Sequence, residues 1–68
     1  MDELEAALER LAKHPRCGRP YPRPRYPELR RLVLARTRYH VYYEYVPSED
    51  VVWVEDLWSA VGGEDPPL

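Results

Sequence analysis

The sequence predicts an α+β fold in which one amino-terminal helix packs on a three-stranded antiparallel β-meander. Three observations support this fold. Residues at about 3–14 carry apolar side chains at helical spacing, residues 15–28 are rich in proline, and three runs at about 29–36, 39–46 and 51–58 alternate or are rich in β-branched and aromatic residues. At 68 residues, the chain is expected to form a single domain over 1–68, with a turn-like tail over 59–68.

The first predicted element is an amphipathic helix, because Leu4, Leu8 and Leu11 recur at i, i+4 and i+7. Asp2, followed three residues later by Glu5, has the form of an N-terminal cap, and the proline after the segment ends the helix. A helix of about 12 residues is marginal in isolation. It therefore needs a sheet to pack against.

The segment 15–28 contains five prolines, and this density excludes a helix or a central strand. We expect an ordered, extended loop, held against the domain by its tyrosines and by the hydrophobic elements on either side. The alternative interpretation is a proline-rich ligand for a partner domain.

Alternation along the three runs assigns side chains to the faces of the sheet. Tyr39, Val41 and Tyr43 share one face and are expected to pack under the helix with Leu32 and Leu34. Short links around residue 37 and residues 47–50 suit hairpins.

The opposite face of the predicted sheet also carries aromatic side chains. Tyr42 shares that face with His40 and Glu44, and strict alternation puts Trp53 and Trp58 on opposite faces of their strand. One helix covers only one face. The other is expected to be an unoccupied interface.

The size and the cysteine content limit what else the chain can contain. The single cysteine, Cys17, excludes an intramolecular disulfide, and His14 with Cys17 offers too few ligands for zinc. Cys17 is expected to be an inert thiol, and no metal or cofactor is expected. A small chain buries little surface, so a partner subunit is the expected source of added stability.

No part of the sequence predicts membrane insertion or export. An apolar run of about 18 residues is absent, and the acidic start lacks the pattern of a signal peptide. We therefore expect a cytoplasmic location and no contact with a membrane.

Charge is strongly segregated along the chain. Arg10–Arg38 contains all ten basic residues and one acidic residue, a local charge of +9, whereas the chain as a whole carries −2. A field of one sign attracts the opposite sign even when the total is near neutral. The middle of the chain is therefore expected to face an anionic partner.

The segments HPRCGRPYP and LRRLVLARTRYHVYYEYVPSEDVVWVEDLWSA follow one another in an informative order. They contain a His-Pro pair at the helix end, a Gly-Arg turn, a strand ending near an arginine, and a Y-x-V-x-Y strand. Their order and spacing over Leu4–Ala60 closely resemble the carboxyl-terminal part of the RelE/ParE family, the toxins of bacterial type II toxin–antitoxin systems.

The chain departs from this family pattern at both ends. Relatives usually begin with a strand and a helix before the helix seen here, so an amino-terminally truncated member is expected. Relatives often have a histidine and then an arginine in the tail, where this chain has Trp58 and Val61.

The resemblance implies a toxin, truncated or degenerate, that binds a cognate antitoxin. One branch of the family resembles inhibitors of DNA gyrase without catalysis, and the other resembles ribosome-dependent messenger-RNA endonucleases. Because the tail lacks a convincing acid, we expect the ParE-like, non-enzymatic function. The endonuclease alternative would use Arg36 and Arg38 to hold a phosphate and His40 to move a proton. A third alternative is a non-toxic module that titrates antitoxin.

Partner binding is assigned to basic and aromatic side chains of the strands. Antitoxins of the family bind as an added strand or as a helix in an apolar groove, and a second copy of the chain is expected there when antitoxin is absent. Direct DNA binding is not expected. The alternative for the arginines is a solvated surface, and for His40 an ordinary surface histidine. The assigned residues are Arg30, Arg31, Arg36, Arg38, Tyr42, Trp53 and Trp58.

Overall fold

The computed structural model describes residues 2–63 and 65–68. The expected domain over 1–68 and tail over 59–68 include Met1 and Glu64, which lie outside the described residues. The elements in chain order are α1 (Glu3–Lys13), β1 (Arg19–Pro20), β2 (Arg30–Leu34), β3 (Tyr39–Val46) and β4 (Val51–Ser59). The strands form one antiparallel sheet in the order β1-β2-β3-β4.

The α+β class is correct, but the expectation of three strands is wrong. The fourth strand, β1, lies inside the proline segment and pairs Arg19 with Arg31 and Pro20 with Arg30. A strand at the edge of a sheet forms its ladder on one side only, so a proline without an N–H is tolerated there. The proline density excludes a central strand but leaves an edge strand possible.

Helix α1 begins as its sequence indicates. The extended Asp2 accepts a hydrogen bond at Oδ1 from the Glu5 amide, at 2.7 Å, and satisfies one of the free N–H groups of the first turn. At the other end, the His14 amide donates to the Arg10 carbonyl at 2.7 Å, and His14 caps the helix.

The main core lies between α1 and the sheet. Ala7 and Leu11 of the helix pack on four buried side chains of β2 and β3, namely Leu32, Leu34, Val41 and Tyr43. The predicted core face is confirmed except for Tyr39, which is 41% exposed at the start of β3.

The opposite face has a second, smaller buried cluster. Leu29 and Tyr42 are each 1% exposed although they lie outside the main core. The proline segment covers part of this face: the ring of Tyr21 lies 5.2 Å from that of Tyr42, and the Tyr21 amide donates to the Leu29 carbonyl at 2.8 Å, whereas Val33 and Trp53 remain exposed. An irregular segment thus does what a second helix would do elsewhere.

A β-bulge in β4 changes which face its aromatic residues occupy. Tyr42 pairs with Asp56 but Tyr43 pairs with Val54, so Glu55 is an extra residue on β4. Trp53 therefore pairs with Glu44 and Trp58 with His40, and both tryptophans lie on the face opposite the helix. The expectation that they occupy opposite faces is wrong, because strict alternation assumes an unbroken ladder.

The turn between β2 and β3 is tied to the start of α1. The Glu3 carboxylate accepts hydrogen bonds from the amides of Arg36 and Thr37, at 3.0 and 2.7 Å, and from the Thr37 hydroxyl at 2.8 Å. Arg38 completes the turn with a φ of 61°. Within residues 2–63 and 65–68, the structure contains no helix long and apolar enough to cross a membrane.

Candidate functional site

An open apolar groove runs along α1 on the side that faces β4. Helix α1 packs chiefly on β2, and β4 on the same face stays largely uncovered. One half of the groove, about 300 Å³, is lined by Leu8, Leu11, Ala12 and Pro15 on the helix side and by Tyr45, Asp50, Val52 and Val54 on the sheet side.

The same faces of α1 and β4 also carry apolar side chains toward the start of α1. Here Leu4 faces Tyr39 and Leu57 across a second recess of about 360 Å³, which Leu34 and Thr37 also line. Large apolar side chains on both walls remain between 38% and 48% exposed: Leu4, Leu8, Tyr39, Val54 and Leu57. We refer to these two recesses together as the α1–β4 groove.

Basic side chains lie at the carboxyl-terminal end of α1. Arg10, Lys13, His14 and Arg16 line a shallow recess with Cys17, and Pro15 belongs both to this recess and to the α1–β4 groove. All four basic side chains are exposed. We call Arg10, Lys13, His14 and Arg16 the basic cluster.

Two of the arginines assigned to partner binding have internal contacts. Arg30 donates from one guanidinium nitrogen to the carbonyls of Arg16 and Gly18, at 3.2 and 2.7 Å, and so holds the proline segment in place. The Arg31 guanidinium lies 4.9 Å from the centre of the Tyr21 ring, a cation–π contact.

The other two assigned arginines lie at the β2–β3 turn and are exposed. The Arg36 amide is bound by Glu3, and the Arg38 carbonyl accepts from the Ala60 amide at 2.7 Å. Their guanidinium groups thus project from a turn whose backbone is fixed.

The aromatic residues assigned to partner binding differ in accessibility. Trp53 is 56% exposed, and Trp58 is half-buried next to His40 on the same face. Tyr42 is 1% exposed beneath Tyr21, so a partner reaches its ring only if the proline segment moves.

His40, the candidate for proton transfer, contacts Tyr42. Its Nδ1 lies 3.3 Å from the Tyr42 hydroxyl, and the two rings meet edge to face. Burial, and to a lesser extent the positive charge of Arg31, lowers the pKa of His40 below its ordinary value. The neutral imidazole is therefore the favoured form near pH 7, as a general base requires.

The contacts described for His40 do not include Arg36 or Arg38, the two phosphate-holding candidates. Arg31 is the cation that affects it instead. Burial also raises the pKa of the Tyr42 hydroxyl, which makes Tyr42 a poor proton donor. The arrangement supplies a neutral base beside one cation, with the poorly acidic Tyr42 hydroxyl as its neighbour. Among residues 2–63 and 65–68, no group of three His, Cys, Asp or Glu side chains is placed to hold a metal ion.

The groove residues were not among the side chains that the sequence indicated for partner binding. Leu4 and Leu8 are visible in the sequence as part of an amphipathic stripe, but Ala7 and Leu11 are the members that reach the core. The sequence signal for the groove is the width of the apolar stripe on α1, which is greater than the width that packing against the sheet buries. Strict alternation puts Val54 and Leu57 on opposite faces of β4, because they are an odd number of positions apart. The bulge at Glu55 places both on the face that carries the groove.

Comparison with protein families gives a match over most of the chain. A family model described as the ParE toxin of type II toxin-antitoxin system, parDE, matches residues 1–61. No curated protein and no solved structure matches the chain.

Proposed function

We propose that this chain, which belongs to the ParE toxin family of type II toxin–antitoxin systems, binds a cognate antitoxin in the α1–β4 groove. The observation that carries the proposal is the pair of half-exposed apolar walls, with Leu8 44% exposed on one side and Val54 48% on the other. An amphipathic segment laid between them would bury both walls together.

The energetic scale suits a specific contact. Fully burying a large aliphatic side chain contributes about 1.5–3 kcal/mol, so side chains that are nearly half exposed each have roughly 1 kcal/mol to contribute on being covered. Several such side chains line the groove. Their summed contribution to the binding free energy exceeds that of solvent-exposed ion pairs at the rim of the groove.

The test compares two strand valines that lie on opposite faces of the sheet and are exposed to a similar extent. Val54 lies in the groove and is 48% exposed, whereas Val33 lies on the other face and is 53% exposed. With the product of the adjacent reading frame as the candidate antitoxin, Val54→Lys should weaken binding at least about tenfold, because a charge cannot be buried unpaired. Val33→Lys should bind like the parent chain. Equal affinities for the two variants would refute the groove as the site.

We further propose DNA gyrase as the target, as the family's ParE branch implies. The poor proton donor next to His40, the Tyr42 hydroxyl, supports a target bound without catalysis. Inhibition of gyrase-dependent supercoiling by the chain, reversed by antitoxin, is the expected result. Intact supercoiling activity at saturating chain would overturn this part of the proposal.

An endonuclease remains the rival because of one observation, the neutral His40 held near Arg31. If the chain cuts ribosome-bound message, His40→Ala and Arg31→Ala should both abolish cleavage, and Arg25→Ala, an exposed arginine of the proline segment, should not. Cleavage that survives His40→Ala would exclude this site. Unchanged growth on induction, together with antitoxin binding, would instead favour the non-toxic module.

A further inference from the structure

The α1–β4 groove differs in charge at its two ends. At the start of α1, the carboxylates of Asp2 and Glu3 line the groove and already accept hydrogen bonds from backbone amides, and the exposed Arg36 of the adjacent turn lies next to Glu3. At the other end, the exposed basic cluster meets the groove at Pro15. The carboxylate of Asp50 lines this half of the groove and accepts a hydrogen bond from the Tyr45 hydroxyl at 2.9 Å, and Glu28 lines a neighbouring recess with Arg16.

The basic cluster attracts carboxylates, and helices prefer carboxylates in their first turn. Acidic side chains near a helix N-terminus stabilise it by interacting with the positive end of the helix dipole. A helix in the groove can satisfy both preferences at once if its acidic first turn lies against the basic cluster. Such a helix runs antiparallel to α1, the orientation in which the two helix dipoles attract.

The exposed edge of β4 is less suited to an acidic partner. Its middle carries Glu55 and Asp56, and Glu55 is the extra residue of the bulge. An acidic strand added there would place like charges side by side and would meet an irregular ladder. The charges therefore favour a helix in the groove over a strand on the edge.

We infer that the groove takes an amphipathic helix that runs antiparallel to α1, with carboxylates in its first turn held by Arg10, Lys13, His14 and Arg16. This inference rests on the proposed function for the identity of the site and adds the form, charge and direction of the bound segment. It follows from the exposed apolar walls together with the four exposed basic side chains that meet the groove at Pro15.

The test uses two synthetic peptides of about 15 residues, long enough to be helical when bound. Both have the same composition and the same apolar stripe, but one carries its glutamates in the first turn and the other in the last turn. Fluorescence anisotropy measures their binding to the full chain. The acid-first peptide should bind about tenfold more tightly at low salt, and the ratio should shrink as salt screens the charges.

A matched pair of protein variants separates the basic cluster from the peptides' own helicity. Arg10→Gln with Lys13→Gln should reduce the preference for the acid-first peptide several-fold. Arg23→Gln with Arg25→Gln removes two charges from the proline segment and should leave the preference intact. Val54→Lys should weaken the binding of both peptides to the same extent.

Equal binding of the two peptides, tighter binding of the acid-last peptide, or a preference that survives loss of Arg10 and Lys13 would each overturn the inference. Failure of the acid-first peptide to bind would do the same. These results leave the proposed function standing if the antitoxin still binds in a manner sensitive to Val54→Lys. Loss of antitoxin binding altogether would remove the proposed function itself.

Discussion

Gly18 lies where the proline segment passes over the buried ring of Tyr43. Its amide donates to the Tyr43 hydroxyl at 2.8 Å, and a Cβ at this position would stand 2.6 Å from that oxygen and 3.0 Å from the Arg31 carbonyl. No room exists for a side chain. The glycine is required here by close approach rather than by a turn conformation.

Gly18→Ala should therefore lower the free energy of unfolding by about 1–3 kcal/mol, measured by urea denaturation. Tyr43→Phe removes the hydroxyl and should cost about 1 kcal/mol by itself. In the Tyr43→Phe background, the added cost of Gly18→Ala should shrink in part, because the closest atom is gone while the ring carbon Cε1, 2.8 Å from the Cβ position, remains. Strict additivity in this double-mutant cycle would contradict the close contact as the cause.

His40 makes stability depend on pH near neutrality. Its pKa is lowered from 6.5 in the folded chain, first by burial and then by Arg31, so the unfolded chain takes up the proton first. The stability linked to the lowered pKa of His40 is therefore present above pH 6.5 and is lost as pH falls through 6.5 toward the folded pKa. Urea denaturation at several pH values should show this loss in the parent chain.

The histidine at the end of α1 provides the control for that experiment. His40→Gln should flatten the dependence between pH 7 and pH 5.5, roughly the range around an ordinary histidine pKa. His14→Gln should leave it unchanged, since His14 is an exposed helix cap. A loss of stability that disappears in His14→Gln would show that the wrong histidine was identified.

Among elements, α1 and the β2–β3 turn are joined through Glu3. The pKa of the Glu3 carboxyl is lowered below 4.5, and the main cause is the hydrogen bond from the Arg36 amide. Thr37 contributes in the same direction. The ionised carboxylate is thus the form that holds the turn. Stability from this contact is present above pH 4.5 and is lost as pH falls through the lowered pKa.

Glu3→Gln should lower the melting temperature at pH 7 and reduce the steepness of unfolding in acid. Glu9→Gln, at an exposed position of the same helix, should do neither. Hydrogen exchange should also quicken at the amides of Arg36 and Thr37 in Glu3→Gln alone. Equal exchange in both variants would mean that the carboxylate does not hold the turn.

Which elements could be predicted from sequence depended on how local their causes are. The Asp2 cap and the alternation of β3 are local patterns, and both the helix start and the bounds 39–46 were predicted. Strand β1 exists because a distant strand, β2, offers it an edge, and no pattern within two residues reports that. The bulge at Glu55 is likewise a property of pairing between strands.

The candidate site shows the same limit. Basic and aromatic residues can be recognised by type, but their availability is set by contacts far apart in sequence. Tyr42 is buried by Tyr21, and Arg30 is bound to the Arg16 and Gly18 carbonyls. The exposed walls of the α1–β4 groove depend on where the helix lies across the sheet, which alternation alone does not determine.

For the whole molecule, the dominant feature is a thin shape with extents of 36 × 33 × 14 Å. A body this thin has little interior, so the apolar groove stays open unless another chain fills it. In the absence of antitoxin, we propose that a second copy fills it. Light scattering of the isolated chain at micromolar concentration should then show a dimer.

The same two valines test this self-association. Val54→Lys should yield a monomer, because the introduced charge lies in the groove, whereas Val33→Lys should stay dimeric. A well-folded monomer of the parent chain would exclude the second copy. The proposal that antitoxin binds in the groove would still stand.

The bulge in β4 also bears on how the protein behaves at high concentration. An exposed edge strand of nine residues could template the addition of further chains and begin a fibril. If two copies paired antiparallel about Glu55, that residue would face its own counterpart, and each Asp56 would face a Val54. The extra residue and its acidic neighbour therefore act as a gatekeeper against amyloid-like growth, and they leave the groove, rather than the sheet edge, open to other chains.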